Sequence, residues 1–269
     1  MVSHPIGLVV PQGEERFPNS QAQVNGRTGC RQLAWAKTLT VLCGRSVLAI
    51  AAQAVVAGMF VLKGASMPWH AAAPWWSVYA TLIDIGCLIL MARFTRNEGI
   101  SLRDLIGNVR WTRDPLLAIV WFLVVFPFFW AAAPVSSWLV WGTTQPNLYP
   151  GLLTSRTLPL WAVVYSFSVW WMIWSATEEM TYQAYALPRL QALAGRPWIA
   201  LVLVSFWWTL QHSFIPLILD WHYVAWRFLA FLPGVAVMTL IYQRTRRLPP
   251  LIFAHYLMDI SGILISLKF

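Results

Sequence analysis

Seven stretches of this chain are apolar and close to 20 residues long, and no other feature restricts its fold as much. They cover about Leu39–Leu62, Trp75–Ala92, Leu116–Trp141, Leu158–Ala186, Trp198–Leu219, Tyr223–Tyr242 and Leu251–Leu267. A helix needs about 20 such residues to cross the hydrocarbon of a bilayer. The composition agrees: 11% of the residues are charged and 18 are Trp, against about 25% charged in a soluble domain. The fold class read from this is all-α: a polytopic membrane protein of about seven transmembrane helices. It occupies one membrane domain over residues 35–269, after a polar, Gly- and Pro-punctuated leader over 1–34.

The formal net charge of +9 does not point to nucleic acid, because the basic residues are spread thinly through short loops. They sort instead by loop. Arg16, Arg27, Arg31 and Lys37 precede the first span, and Arg93, Arg96, Arg103, Arg110 and Arg113 follow the second. Arg189 and Arg196 follow the fourth, and Arg244, Arg246 and Arg247 follow the sixth. The alternate loops hold only Lys63, Arg156, Arg227 and the terminal Lys268. The excess of Lys and Arg on cytoplasmic loops then puts the N-terminus in the cytoplasm. The leader has no apolar core of signal-peptide type. The expected location is a prokaryotic cytoplasmic membrane, with the lipid bilayer as a partner. Cys30, Cys43 and Cys87 form no CxxC pattern, and their odd number argues against a disulfide framework.

The prolines mark irregularities. Pro127 and Pro134 predict a kinked third span or two segments meeting there, and Pro233 beside Gly234 predicts a kink in the sixth. Ala194-Gly195-Arg196-Pro197 reads as a helix stop and restart. A helix continuing through Pro188 would need a further kink.

Ionisable groups within spans are costly and mark functional sites. Glu178 and Glu179 stand side by side after the run Leu158–Ala176, and His212 and the pair His255/Asp259 lie on later spans. Counted from Gly195, Glu178 lies about 17 residues before the turn and His212 about 17 after it. At 1.5 Å per residue both sit about 25 Å from the turn, so a hairpin brings them to one depth. His255 and Asp259, four residues apart, share a helix face. They follow Pro249-Pro250 closely, so either the loop before them dips inward or Glu178 is shallower than this count gives. Glu178 and Glu179 point about 100° apart and cannot do the same job; helical spacing pairs them with Tyr182 and Gln183 respectively. A carboxylate and an imidazole in such a cavity can hold and deprotonate a water, and a second imidazole can donate to a developing oxyanion.

Glu178-Glu179-Met180-Thr181-Tyr182-Gln183, Trp208-Thr209-Leu210-Gln211-His212 and His255-Tyr256-Leu257-Met258-Asp259 resemble three ordered motifs, EExxxR, FxxxH and HxxxN/D. They are those of the CPBP intramembrane proteases, named for CAAX-protein and bacteriocin processing, and the resemblance covers about residues 158–269. It implies a glutamic-type endopeptidase with its site between the last four helices. Glu178 would be the general base, His212 would hold the water, His255 and Asp259 would sit at the oxyanion, and Glu179 would support them. The implied partner is a protein or peptide substrate cut near the membrane: a CAAX tail, a bacteriocin-like leader or a C-terminal sorting signal. No cofactor is implied. Glu178, His212 and His255 form a donor set that zinc also uses, but the chain has no HExxH helix.

This chain departs from the pattern at Gln183, which stands where the family has Arg. Glu179 is then expected to be protonated or to borrow a distant cation, Arg45 or Arg227. Trp208 replaces Phe and is expected to keep its packing role, and since an ionised Asp cannot donate to an oxyanion, Asp259 must be protonated or must act by orienting His255. Asp84 and Arg45, each within a span, read equally as an interhelical pair or as cavity groups. The rival functions are a non-catalytic membrane scaffold or immunity-type protein, favoured by Gln183, and a transporter relaying protons through Asp84, Glu178 and Glu179.

Overall fold

The computed structural model describes residues 17–29, 33–144 and 158–266. Most of the leader, with Arg16, Cys30, Arg31, Arg156, Leu267 and Lys268, lies outside them. The described residues contain helices and no β-strand beyond an isolated bridge between Phe214 and Leu217. In chain order the helices are α1 (Gln21–Gly29), α2 (Trp35–Leu62), α3 (Pro68–Ala72), α4 (Trp76–Asn97), α5 (Leu102–Ile106), α6 (Asp114–Trp141), α7 (Leu160–Tyr165), α8 (Trp171–Glu179), α9 (Leu187–Ala194), α10 (Pro197–Ser213), α11 (Trp221–Thr245) and α12 (Pro249–Ser266). Turns of π-helix join α7 to α8 and α8 to α9.

Four helical stretches are long and apolar enough to cross a membrane by length and composition: α2, α3 continued into α4, α6 and α11. α10 and α12 are shorter, at 17 and 18 residues. The expected fourth span is a broken helix, α7 to α9. α6 runs unbroken through Pro127 and Pro134, and α11 through Pro233, so each is one helix. The expected stop at Gly195 is present, with φ 65°, and α10 restarts with Pro197 in its first turn.

α6, α10, α11 and α12 pack as neighbours, with α12 also against α8, and α2 pairs with α4. The last part of the leader is folded onto this bundle: α1 packs on α9, with Val24 and Asn19 buried. Loops meet in two sets. Glu98, after α4, binds Arg189 of α9 at 2.6 Å and Arg27 of α1 at 3.6 Å. Arg247, after α11, holds Asp114 at the start of α6 at 2.7 Å. Elsewhere Leu217, after α10, accepts hydrogen bonds from Gln53 of α2 and Trp69 of α3.

Candidate active site

The local chain path around Glu178 answers to Pro188. Proline has no N–H to return to the preceding turn, so the helix cannot continue unchanged through it. Met180–Ala186 is π-helical instead, and the Leu187 N–H bonds the Tyr182 carbonyl five residues back. The Ala184 carbonyl, four residues before Pro188, takes side-chain donors: Asn19 Nδ2 at 2.8 Å and Arg189 Nη1 at 3.3 Å. The kink expected at Pro188 is thus a π turn buttressed by the leader, a device found often at functional sites. The register change has a second result. Gln183 turns from Glu179 and donates to Thr239 Oγ1 of α11 at 3.5 Å.

Glu178 and Glu179 are fully buried at the end of α8. Glu178 Oε1 accepts from Gln211 Nε2 and lies 3.5 Å from Arg45 Nε. Glu178 Oε2 is 3.2 Å from His255 Nε2 and 4.0 Å from His212 Nε2. Glu179 Oε1 meets the other ring nitrogen of His255 at 3.1 Å. One imidazole therefore bridges the two glutamates, each of which presents it one oxygen. Asp259 Oδ2 adds a third carboxylate 3.6 Å from His255 Nε2.

His212 is fixed by its own helix. Its Nδ1 is 2.8 Å from the Trp208 carbonyl, which can only accept, so Nδ1 carries the hydrogen. In the neutral ring Nε2 is then an acceptor directed at Glu178. Phe231 stacks on the ring with centroids 4.1 Å apart. Trp208 stacks on Tyr182 at 5.4 Å and stands 6.0 Å from His255, which is packing of the expected kind. His255 reaches this depth because α12 begins inside the protein: Leu248, Pro249, Pro250 and Leu251 are all buried.

Neither cation proposed for Glu179 is its neighbour. Arg45 is held by Asp84 at 3.0 Å and faces Glu178, with Trp174 stacked on its guanidinium at 4.1 Å. Arg227 donates to the backbone carbonyls of His212 and Ile215. Neither reaches Glu179, whose partner is His255. The Arg45–Asp84 pair is the interhelical one of its two readings: it joins α2 to α4 behind Glu178, and neither residue lines the cavity. Gln211 is the residue that sequence reasoning missed. It lies next to His212 on α10, links Glu178 to the Tyr182 hydroxyl, and its only signal was a carboxamide within an apolar span.

His212, His255 and Asp259 line a cavity of about 280 Å³ whose other walls are mainly Trp, Phe and Met side chains. Among the described residues no group of three or more His, Cys, Asp or Glu side chains is arranged to hold a metal ion.

Residues 160–261 match the family model described as type II CAAX prenyl endopeptidase Rce1-like. Over that segment the chain is similar to this family. The resemblance carried by the three motifs thus holds for the stretch containing all of them. The matched family is one of proteases, and four helical stretches of the fold have the length and composition of membrane spans. No curated protein and no solved structure matches the chain.

Proposed function

We propose that this protein is an intramembrane endopeptidase that cleaves a protein substrate at the membrane with a water activated by Glu178. The observation that carries the reading is the pairing of Glu178 Oε2 with two imidazoles at the cavity wall, 3.2 Å from His255 and 4.0 Å from His212. The longer distance exceeds a direct hydrogen bond and suits a water held by both groups. That water gives one hydrogen to Glu178 and directs the other at the bare Nε2 of His212, which leaves a lone pair for the scissile carbonyl. Glu178 then returns the proton to the leaving amine. His255, held by Glu179 through Nδ1, turns Nε2–H toward the oxyanion, and Asp259 orients that ring. Glu178 supplies the base, so no metal is required: cleavage is expected to survive chelation, and activity lost to a chelator and restored by zinc would overturn this.

The matched family's description and the apolar cavity favour a prenylated, CAAX-type tail as substrate. The loop contacts support seven spans with the basic loops on one side, which the excess of Lys and Arg makes the cytoplasmic side; the proposed membrane is a prokaryotic cytoplasmic one. Loops assigned to one side by their basic residues touch one another, as Arg27, Glu98 and Arg189 do.

The test compares new peptide termini in membranes carrying the wild type or Glu178→Gln at equal levels. Termini found only with the wild type are expected, and their sequences separate a CAAX tail from a leader or sorting signal. Identical lists would favour the non-catalytic scaffold, the reading that Gln183 on Thr239 supports.

A further inference from the structure

Four groups that carry or can take a charge face the cavity: His212, His255, Asp259 and Arg227. The first three face the glutamate network, at 4.0 Å for His212 and Glu178, 3.2 Å for His255 and Glu178, and 3.6 Å for Asp259 and His255. Arg227 does not. It forms no ion pair among the described residues, and the walls around it are largely aromatic. Two carbonyls orient it, His212 O from Nε at 3.1 Å and Ile215 O from Nη2 at 3.1 Å. They satisfy those two N–H groups and leave the positive charge without a counter-ion. A guanidinium in apolar surroundings is stable when an anion meets it, and its planar fork suits a carboxylate. Phe231 sets its place, with Arg227 4.6 Å from the centroid of the ring that also stacks on His212.

We propose that Arg227 binds a carboxylate of the peptide that occupies the cavity, one aromatic ring away from the candidate water-binding histidine. This rests on reading the cavity as the substrate site. The carboxylate is either the C-terminal α-carboxylate or an acidic side chain near the cleaved bond. The same residue also clamps the C-terminal end of α10, where a cation is favoured by the helix dipole. The test must therefore separate recognition from support.

Binding is measured on protein carrying Glu178→Gln, so that the probes are not consumed. Three fluorescent peptides are compared: S-farnesylcysteine followed by three aliphatic residues as the free acid, the same peptide as the C-terminal amide, and an amide whose final residue is Glu. The free acid or the Glu-ended amide is expected to bind about tenfold or more tighter than the plain amide. Preference for the acid assigns the α-carboxylate, and preference for the Glu-ended amide assigns a side chain. Adding Arg227→Met should remove the preference, and Arg227→Lys should keep part of it. Equal binding of all three peptides to the Arg227-containing protein overturns the proposal, and needs no variant at position 227. Equal weakening of acid and amide in Arg227→Met also overturns it and leaves Arg227 as a clamp on α10. The readout is independent of cleavage: a wild type that binds selectively but cleaves nothing counts against the protease reading alone.

Discussion

Arg45 and Glu178 face each other across 3.5 Å inside the protein, although Arg45 stands on α2, outside the segment that matches the family model. Asp84 of α4 holds the same guanidinium at 3.0 Å. The first half of the chain thus supplies charge to the candidate site as well as covering it. Removing one member of such a buried network leaves the others uncompensated, at a cost of about 3–5 kcal/mol, whereas replacing a pair by apolar residues is often neutral. Arg45→Met is expected to lower thermal stability in detergent sharply, and Arg45→Met with Asp84→Leu to recover much of it. Equal stability of the single and double variants would show that Asp84 and Arg45 act separately.

Glu178 and Gln211 should separate chemistry from placement. Glu178→Gln keeps the shape and loses the base, and a general base contributes about 10²- to 10⁴-fold. Cleavage should fall by that order while the fold is retained. Gln211→Leu leaves the carboxylate but removes the donor on Oε1, so a smaller loss is expected, about tenfold. A larger loss in Gln211→Leu than in Glu178→Gln, measured on equally folded protein, would assign the base elsewhere.

Spacing and hydropathy made much of this legible. The equal counts on either side of Gly195 placed His212 near Glu178, and the i,i+4 pair on α12 faces the same cavity as expected. Three things were not legible. Pairing Glu179 with Gln183 assumed 3.6 residues per turn, and the π turn forced by Pro188 broke that register. The partners of Glu178 on α2 and α10 were hidden because sequence spacing orders residues along a helix and says nothing about which helices touch. His255 looked too shallow because the burial of Leu248–Leu251 depends on neighbours that a local pattern does not contain.

The leader's hold on the π turn can be tested directly. Asn19 donates to the buried Ala184 carbonyl at 2.8 Å, so Asn19→Ala should cost about 1–2 kcal/mol. Pro188→Ala supplies a backbone N–H that can serve the same carbonyl. In that background the Asn19→Ala cost should shrink, as read by thermal unfolding of the four proteins in the cycle. Additive effects would show that Asn19 acts on something other than this carbonyl.

One pH effect lies outside the spans. Asp104, in the short helix α5, accepts from the Ser101 backbone N–H and hydroxyl, both at 2.8 Å, and these bonds hold its carboxyl below the usual carboxylate range. A carboxyl lowered in the folded state stabilises above its unfolded value and loses that contribution as pH falls through the folded one. The stability difference between wild type and Asp104→Asn should therefore be present above about pH 4 and fade at lower pH. A difference that stays constant through that range would assign the effect to helix capping by shape alone.

The cavity wall itself depends on Gly234. A methyl group there would fall well inside contact distance of the Phe129 ring, and Phe129 of α6 lines the cavity beside Phe231 of α11. The glycine is needed for the close approach of two helices, since its backbone is ordinary helix. Gly234→Ala must push Phe129 aside, and overpacking of this kind costs about 1–3 kcal/mol. The displaced ring also narrows the space for a peptide. Gly234→Ala is therefore expected to raise KM more than it lowers kcat, and Phe129→Leu in the same chain should restore both KM and stability. Failure of that second change to rescue either quantity would mean that the α6–α11 contact at Gly234 does not shape the cavity.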